Sequence, residues 1–203
     1  MKKYSVIYAD PPWSYRDQAH AGQRGVTYKY DLLDLGQIKA LPIRDIAADN
    51  CALFLWVTPP LLPDCMGVVD AWGFKYKTVG FTWVKTYFPS EKYFMGMGSY
   101  TRTNAELCLL GLKGKLARQD KGVRSLVVSP VRQHSQKPDE VRDRIVQLFG
   151  DVPRIELFAR QRTPGWDAWG NQAQSDVELV GEHFVSAAPR SATRASRAGE
   201  RGR

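Results

Sequence analysis

The stretch YSVIYADPPW, residues 4–13, sets a run of β-forming side chains against an acid, two prolines and a tryptophan. A β-rich run that stops this abruptly reads as a strand covered on both faces, as in a parallel sheet. Asp10 then falls just past the strand's carboxyl end, where open α/β sheets bind their ligands. Pro11 and Pro12 each fix their own φ and push the preceding residue out of the α region, so the corner is stiff and its carbonyls are aimed. Two rigid acceptors, the Asp10 carboxylate and the Pro11 carbonyl, suit the two hydrogens of an amino group on an aromatic ring. Holding them there favours a pyramidal nitrogen with a free lone pair. Trp13 offers a face on which a planar base can stack, worth about 1–3 kcal/mol. Taken alone, the four residues DPPW are a weak signal and read more readily as a proline-rich strand end with a buried tryptophan.

Outward from this corner the pattern alternates. CALFLWV (51–57) is a second apolar run, ended by Thr58-Pro59-Pro60, and LGQIKALPIRDIA (35–47) between the two carries apolar residues at helical spacing. LLPDCMGVVDAWG (61–73) predicts a helix closed by Gly73. Segments 74–85, 106–114 and 125–130 predict strands, PDEVRDRIVQLFG (138–150) an amphipathic helix, and RIELFA (154–159) a closing strand. Strands alternating with helices imply an α/β domain with a mostly parallel central sheet flanked by helices. Segments 14–31 and 86–104 resist assignment. They are rich in glycine, aromatics and charge, and long loops in a small domain are commonly functional. Tyr15, Arg16, Tyr28, Tyr100 and Arg102, with Lys85 before the second loop, are the candidate substrate-binding residues, since aromatic and cationic groups stack on bases and pair with phosphates. Exposed surface loops would have the same composition.

The 203 residues suffice for one well-buried domain, and 43% hydrophobic with 25% charged residues is ordinary for a globular chain. No apolar run approaches the roughly 18 residues that span a bilayer, and the first residues lack a cleavage pattern, so the expected compartment is the cytoplasm. Cys51, Cys65 and Cys108 are odd in number, widely spaced and without a histidine cluster; they read as buried fillers, and no metal site is expected. The net charge of +8 suits a phosphate-rich partner. Part of the excess lies in SAAPRSATRASRAGERGR (186–203), so residues 176–203 read as a basic disordered tail behind a domain at 1–175.

The corner gains meaning with two later motifs. DPPW (Asp10, Pro11, Pro12, Trp13), KPDE (137–140) and IELFAR...GW...GNQ (155–172), in this order, resemble the MT-A70 family of S-adenosylmethionine-dependent adenine methyltransferases. The resemblance spans residues 4 to about 172 and includes the connecting segment 96–114. It implies a Rossmann-like methyltransferase fold, S-adenosyl-L-methionine as cofactor, and methyl transfer to the 6-amino group of adenine in nucleic acid. It further implies that Asp10 and Pro11 engage the amino group, Pro12 shapes the pocket and Trp13 packs on the base. Asp10 also lies near the methionine end of the cofactor, Lys137 contacts its carboxylate, and Glu156, Leu157, Arg160, Asn171 and Gln172 contact its ribose and adenine. The bridge Gln161-Arg162-Thr163 stands where the family often has an asparagine, and Ala159 replaces a frequent glycine. The chain's form resembles bacterial or phage members, which favours DNA as substrate. An RNA substrate and a non-catalytic nucleic-acid-binding subunit are the alternatives, and a homodimer stays open.

Overall fold

A computed structural model describes residues 1–13, 33–90, 92–98, 100–132 and 136–179. Tyr15, Arg16, Tyr28 and nearly all of the expected tail lie outside them. Seven strands form one sheet: β1 (Tyr4–Ala9), β2 (Ala47–Val57), β3 (Lys75–Thr86), β4 (Ala105–Lys113), β5 (Leu126–Pro130), β6 (Arg154–Leu157) and β7 (Asp167–Trp169), in the order β5-β3-β4-β2-β1-β6-β7. Only β4 runs against its neighbours β2 and β3, the other pairs being parallel, so the sheet is mostly parallel as the sequence implies.

The apolar run at 6–9 in β1 follows from burial on both faces. Ile7 and Ala9 join Leu53, Leu55, Ile38, Val68 and Trp72 in one layer of core. Val6 and Tyr8 point the other way, into a layer with Phe54, Trp56, Val141, Ile145 and Phe149. Helices α1 (Leu35–Ala40), α2 (Ile43–Ile46) and α3 (Leu62–Ala71) cover the first layer, and α4 (Asp139–Phe149) covers the second. Each large side chain fully buried there contributes on the order of 1.5–3 kcal/mol. All three cysteines are free and buried, and burial pushes the Cys51 and Cys65 thiols up to about 12, so they are fillers, as read.

The structure corrects several boundaries. The helix expected over 35–47 is two short helices, because Pro42 has no N–H to donate and Leu41 before it is extended, at φ −58° and ψ 132°. The first starts on a capping box, in which the Gln37 N–H donates to Asp34 (2.7 Å) and the Asp34 N–H to the Gln37 side chain (2.9 Å). β2 begins at Ala47, well before 51, and β6 ends at Leu157 where 159 was expected. β7 was not foreseen. The packed chain also runs past 175: Asp176 donates its N–H to the Ala168 carbonyl (2.8 Å), and Leu179 is buried.

What places the site is the chain's reversal of direction across the sheet. β1 leads to β2 on one side, and the chain returns much later as β6 on its other side. The carboxyl ends of β1 and β6 therefore lie side by side where the strand order reverses, the place where open α/β sheets form a binding crevice, and Asp10 and Phe158 follow these two ends directly.

Candidate active site

The corner after β1 is tight. The Trp13 N–H donates to the Pro11 carbonyl at 2.8 Å, closing a three-residue turn. The Trp13 indole N–H donates to the Trp56 carbonyl at 2.9 Å, near the end of β2, and the Trp56 indole N–H donates to the Tyr8 hydroxyl at 2.7 Å. The half-buried Trp13 ring is thus tied to two adjacent strands. A carbonyl has two acceptor sites, so the Pro11 oxygen keeps capacity for a second donor.

Asp10 anchors a row of alternating charges. Lys137 donates to Asp10 Oδ2 at 2.8 Å and lies 3.2 Å from Glu106 Oε2, and Lys85 reaches Glu106 Oε1 at 2.5 Å. Lys137 and Glu106 are each buried, and the Lys137 ammonium also sits 5.6 Å from the centre of the Trp56 ring. Burial pushes Asp10 above the usual carboxylate range, a rise that Lys137 opposes without cancelling. For Glu106 burial acts in the same direction, but two flanking lysines outweigh it and hold the group below its ordinary value. Burial would lower Lys137, yet two carboxylates hold it above the ordinary amine value. The lysine is therefore a fixed cation.

Next to this row lies a pocket of about 260 Å³ lined by Tyr8, Asp10, Gln136, Lys137, Arg142, Glu156, Phe158, Arg160, Gln161 and Gln172. Its far wall is a second ionic cluster. Arg142 donates to both Glu156 oxygens (3.1 and 3.2 Å) and to Asp139, which also pairs with Arg132 at 2.6 Å. Arg132 in turn donates to the Lys137 carbonyl at 3.0 Å, holding the entry to α4 in place. Burial raises Glu156 to about 7 despite Arg142. At the mouth, Phe158 has a positive φ of 60°, a left-handed turn that non-glycine residues rarely adopt, and its ring packs edge-on to Trp169 at 5.3 Å. Gly170 makes this turn feasible, because a Cβ there would lie 2.5–2.6 Å from Ala159 backbone atoms.

Of the seven residues expected to hold the cofactor, Asp10, Lys137, Glu156, Arg160 and Gln172 line this one pocket. The Leu157 side chain is buried in the core, which leaves its backbone for any contact, and exposed Asn171 stands beside the lining residue Gln172. Lys85, expected to bind substrate, stands in the ion row at the end of β3, paired with Glu106, whereas Tyr100 and Arg102 are exposed. Arg162 is held away from the pocket by Asp176 (2.9 Å), and its neighbour Gln161 lines the wall. The sequence reading missed Glu106 and Arg142. Each left a signal: an acid inside the apolar strand AELCLLGLK, and an arginine beside Val141 on the buried face of α4. Among the described residues no group of three His, Cys, Asp or Glu side chains could hold a metal ion, and no helix is long and apolar enough to cross a membrane.

Comparison with known proteins adds sequence relationships. The MT-A70 family model matches residues 4–172. The chain is 37% identical over 187 residues to the type II methyltransferase M.MunI of Mycoplasma sp, covering 83% of this chain and 77% of that one. It is 30% identical over 174 residues to the N(6)-adenosine-methyltransferase catalytic subunit METTL3 of Homo sapiens, covering 84% and 28%. To the N(6)-adenosine-methyltransferase MT-A70-like protein of Drosophila melanogaster it is 29% identical over 188 residues, covering 91% and 29%. It thus spans most of the Mycoplasma protein and under a third of the two animal ones.

Proposed function

The chain belongs to the MT-A70 family, and on that premise we propose that it is an S-adenosylmethionine-dependent methyltransferase acting on the exocyclic 6-amino group of adenine in nucleic acid, DNA in preference to RNA, in the cytoplasm of a bacterial or phage-infected cell. The observation that carries this reading is the meeting of Asp10 and Lys137, 127 residues apart, at 2.8 Å on the edge of a pocket that also holds Glu156, Arg160 and Gln172. The greater identity and coverage with the type II methyltransferase support DNA.

The donor set fits the cofactor. S-adenosylmethionine combines a carboxylate, an ammonium, a ribose diol and a purine; the pocket offers Lys137 and Arg160 as cations, Asp10 and Glu156 as acceptors, Gln172 as a two-way partner and the Phe158 ring as an apolar wall. When bound, the cofactor supplies a methyl group on an electrophilic sulfonium.

The chain's own residues prepare the acceptor nitrogen. Lys137 occupies Asp10 Oδ2, so the hydrogen bond to the adenine amino group falls to Oδ1, and the Pro11 carbonyl takes the second hydrogen. Accepting both hydrogens draws the nitrogen lone pair out of the ring. Trp13 stacks on the base, and its bond to Trp56 fixes the angle of the plane. Adenine in a duplex hides this group, so the base must leave its stack. Catalysis is then positioning and preorganised electrostatics. Asp10, its acidity weakened by burial, can receive the proton the amine gives up.

Asp10→Asn keeps the volume and one acceptor but loses the charge. Transfer of tritiated methyl from S-adenosylmethionine to DNA should fall by about 10²–10³, while cofactor binding by calorimetry changes far less. Transfer near the wild-type rate would refute the role of Asp10. Absence of any cofactor binding by the wild-type chain would favour the non-catalytic alternative.

A further inference from the structure

Between β3 and β4 the chain leaves the sheet and reverses twice. The Tyr87 N–H donates to the Lys92 carbonyl (2.9 Å), Thr86 and Tyr93 form an antiparallel bridge, and the Gly96 N–H donates to the Thr103 carbonyl (2.8 Å). Gly96 and Gly98 are required for the second reversal, since a Cβ on either would lie 2.4 and 1.9 Å from the Thr103 and Thr101 carbonyl oxygens. The result is a narrow ribbon, with the Tyr87 and Phe94 rings packed at 5.3 Å near its base.

The ribbon exposes several large apolar side chains among polar ones, and Arg102 donates to the Met97 sulfur at 3.7 Å. Of ten large hydrophobic residues exposed among the described ones, six fall between 87 and 100; Phe88 is 82% exposed, Met97 91%, and Tyr100 fully. Such clustering marks an interaction element. Two observations identify the partner. First, Lys85 and Glu106, the residues on either side of the ribbon, are joined to each other, and Lys137 connects Glu106 to Asp10, so the ribbon springs from the row of charges that borders the pocket. Second, the segment carries the cations Lys92 and Arg102 against the single acid Glu91, in a chain whose net charge of +8 lies only in part in residues 186–203, which suits phosphate. Apolar side chains and cations on so narrow a ribbon suit a narrow gap better than the broad surface, about 800 Å² per partner, of a stable protein interface.

We propose that this ribbon is a wedge that opens duplex nucleic acid: Phe88 and Met97 enter the stack beside the target and fill the space the adenine vacates. Apolar side chains inserted between base steps unstack and kink the duplex in this way. The inference rests on the function proposed above and adds a duplex-opening role that the pocket residues do not supply.

The test compares the wild-type chain with Phe88→Ser/Met97→Ser, whose exposed positions leave the core intact, as an unchanged melting temperature will show. The substrate is one plasmid, unmethylated, offered as duplex and after heat denaturation with tritiated S-adenosylmethionine. The variant should lose about tenfold or more on duplex and stay within about twofold on denatured DNA, with Phe88→Tyr/Met97→Leu restoring the duplex rate. Independently of turnover, wild-type protein should raise permanganate reactivity of thymines in the duplex, and the Ser variant should not. Equal rates on duplex, equal loss on both substrates, or no rise in thymine reactivity with the wild type each overturns the wedge. Equal loss together with a smaller sedimenting mass would instead make the ribbon an interface between copies. A wild-type chain that methylates neither form and binds no cofactor would overturn the proposed function, and the wedge with it.

Discussion

Replacing Lys137 by methionine should expose the energetics of the Asp10–Lys137–Glu106 row, because it keeps the stem and removes the charge. Lys137 and Glu106 side chains are each 7% exposed and Asp10 26%, so water does little to screen what remains. Without the ammonium, two carboxylates face one another in a desolvated space. Breaking a buried pair from one side costs about 3–5 kcal/mol, on the order of 6–20 °C in Tm for a domain of this size. The pH dependence separates this cause from simple loss of packing. Asp10 is raised by burial even in the wild type, and the substitution removes the lysine that opposes that rise. Glu106 loses one of the two lysines that hold it low and keeps Lys85. Asp10 therefore moves further above its unfolded value, and Glu106 rises from its lowered one. The native state then binds more protons than the unfolded state, and stability falls as pH rises through that interval. Urea unfolding of Lys137→Met should show its full deficit at pH 8 and a much smaller one near pH 5. Adding Glu106→Gln should recover part of the loss at pH 8. A variant as stable as wild type at pH 8, or a deficit equal at both pH values, would refute the reasoning.

Glu156, raised to about 7 by burial, should make cofactor binding depend on pH: its charged fraction rises about tenfold between pH 6 and 8, and calorimetric affinity for S-adenosylmethionine should rise by up to that factor, with Glu156→Gln flattening the profile. The same shift destabilises the free protein as pH rises from the ordinary carboxylate value through 7, so Glu156→Gln should narrow the stability difference between pH 5 and 8 in urea titrations. Trp13→Ala removes the stacking face and leaves the Trp56 carbonyl without its indole donor; methyl transfer should weaken by about 1–3 kcal/mol, while Trp13→Phe keeps part of the stacking. Gly170→Ala forces a Cβ against the Ala159 backbone; the turn at Phe158 must shift, so a lower Tm together with weaker cofactor binding is expected, and an unchanged Tm would show that the turn is not fixed by this contact.

The regular elements were legible where burial writes a period. β1 reads from its apolar run at 6–9, whose side chains alternate between two core layers, and α4 reads from its apolar spacing and its Pro138 and Gly150 ends. Elements were misread where local chemistry outweighs period. Leu41-Pro42 breaks the helix run, and β7, three residues long, is too short to show alternation. The site followed the same rule. Asp10, Lys137 and Glu156 sit in motifs at element ends and could be found, whereas Glu106 and Arg142 lie inside elements, where a lone charge in an apolar pattern names no partner. Glu106 finds its partners in Lys85 on β3 and Lys137 ahead of α4, and Arg142 finds Glu156 on β6, so only the assembled fold reveals them.

That assembly also explains why one lysine can do more than one task. Were Lys137 paired with Asp10 alone, a ligand carboxylate could bind it only by competing for its charge. Glu106 would make that competition worse, but Lys85 lies 2.5 Å from the same carboxylate and offsets it. The row therefore carries two acids and two bases and is neutral as a whole, its charges fixed in alternation from β1 across to β3. A neutral row costs less to bury than an unbalanced one and still presents an ammonium toward the pocket and a carboxylate oxygen toward the corner. Exchanging Lys85 for methionine would leave the pocket lining unchanged yet tip the row to a net negative charge. Cofactor affinity should fall with little change in the pocket's shape, and Lys85→Arg should restore it.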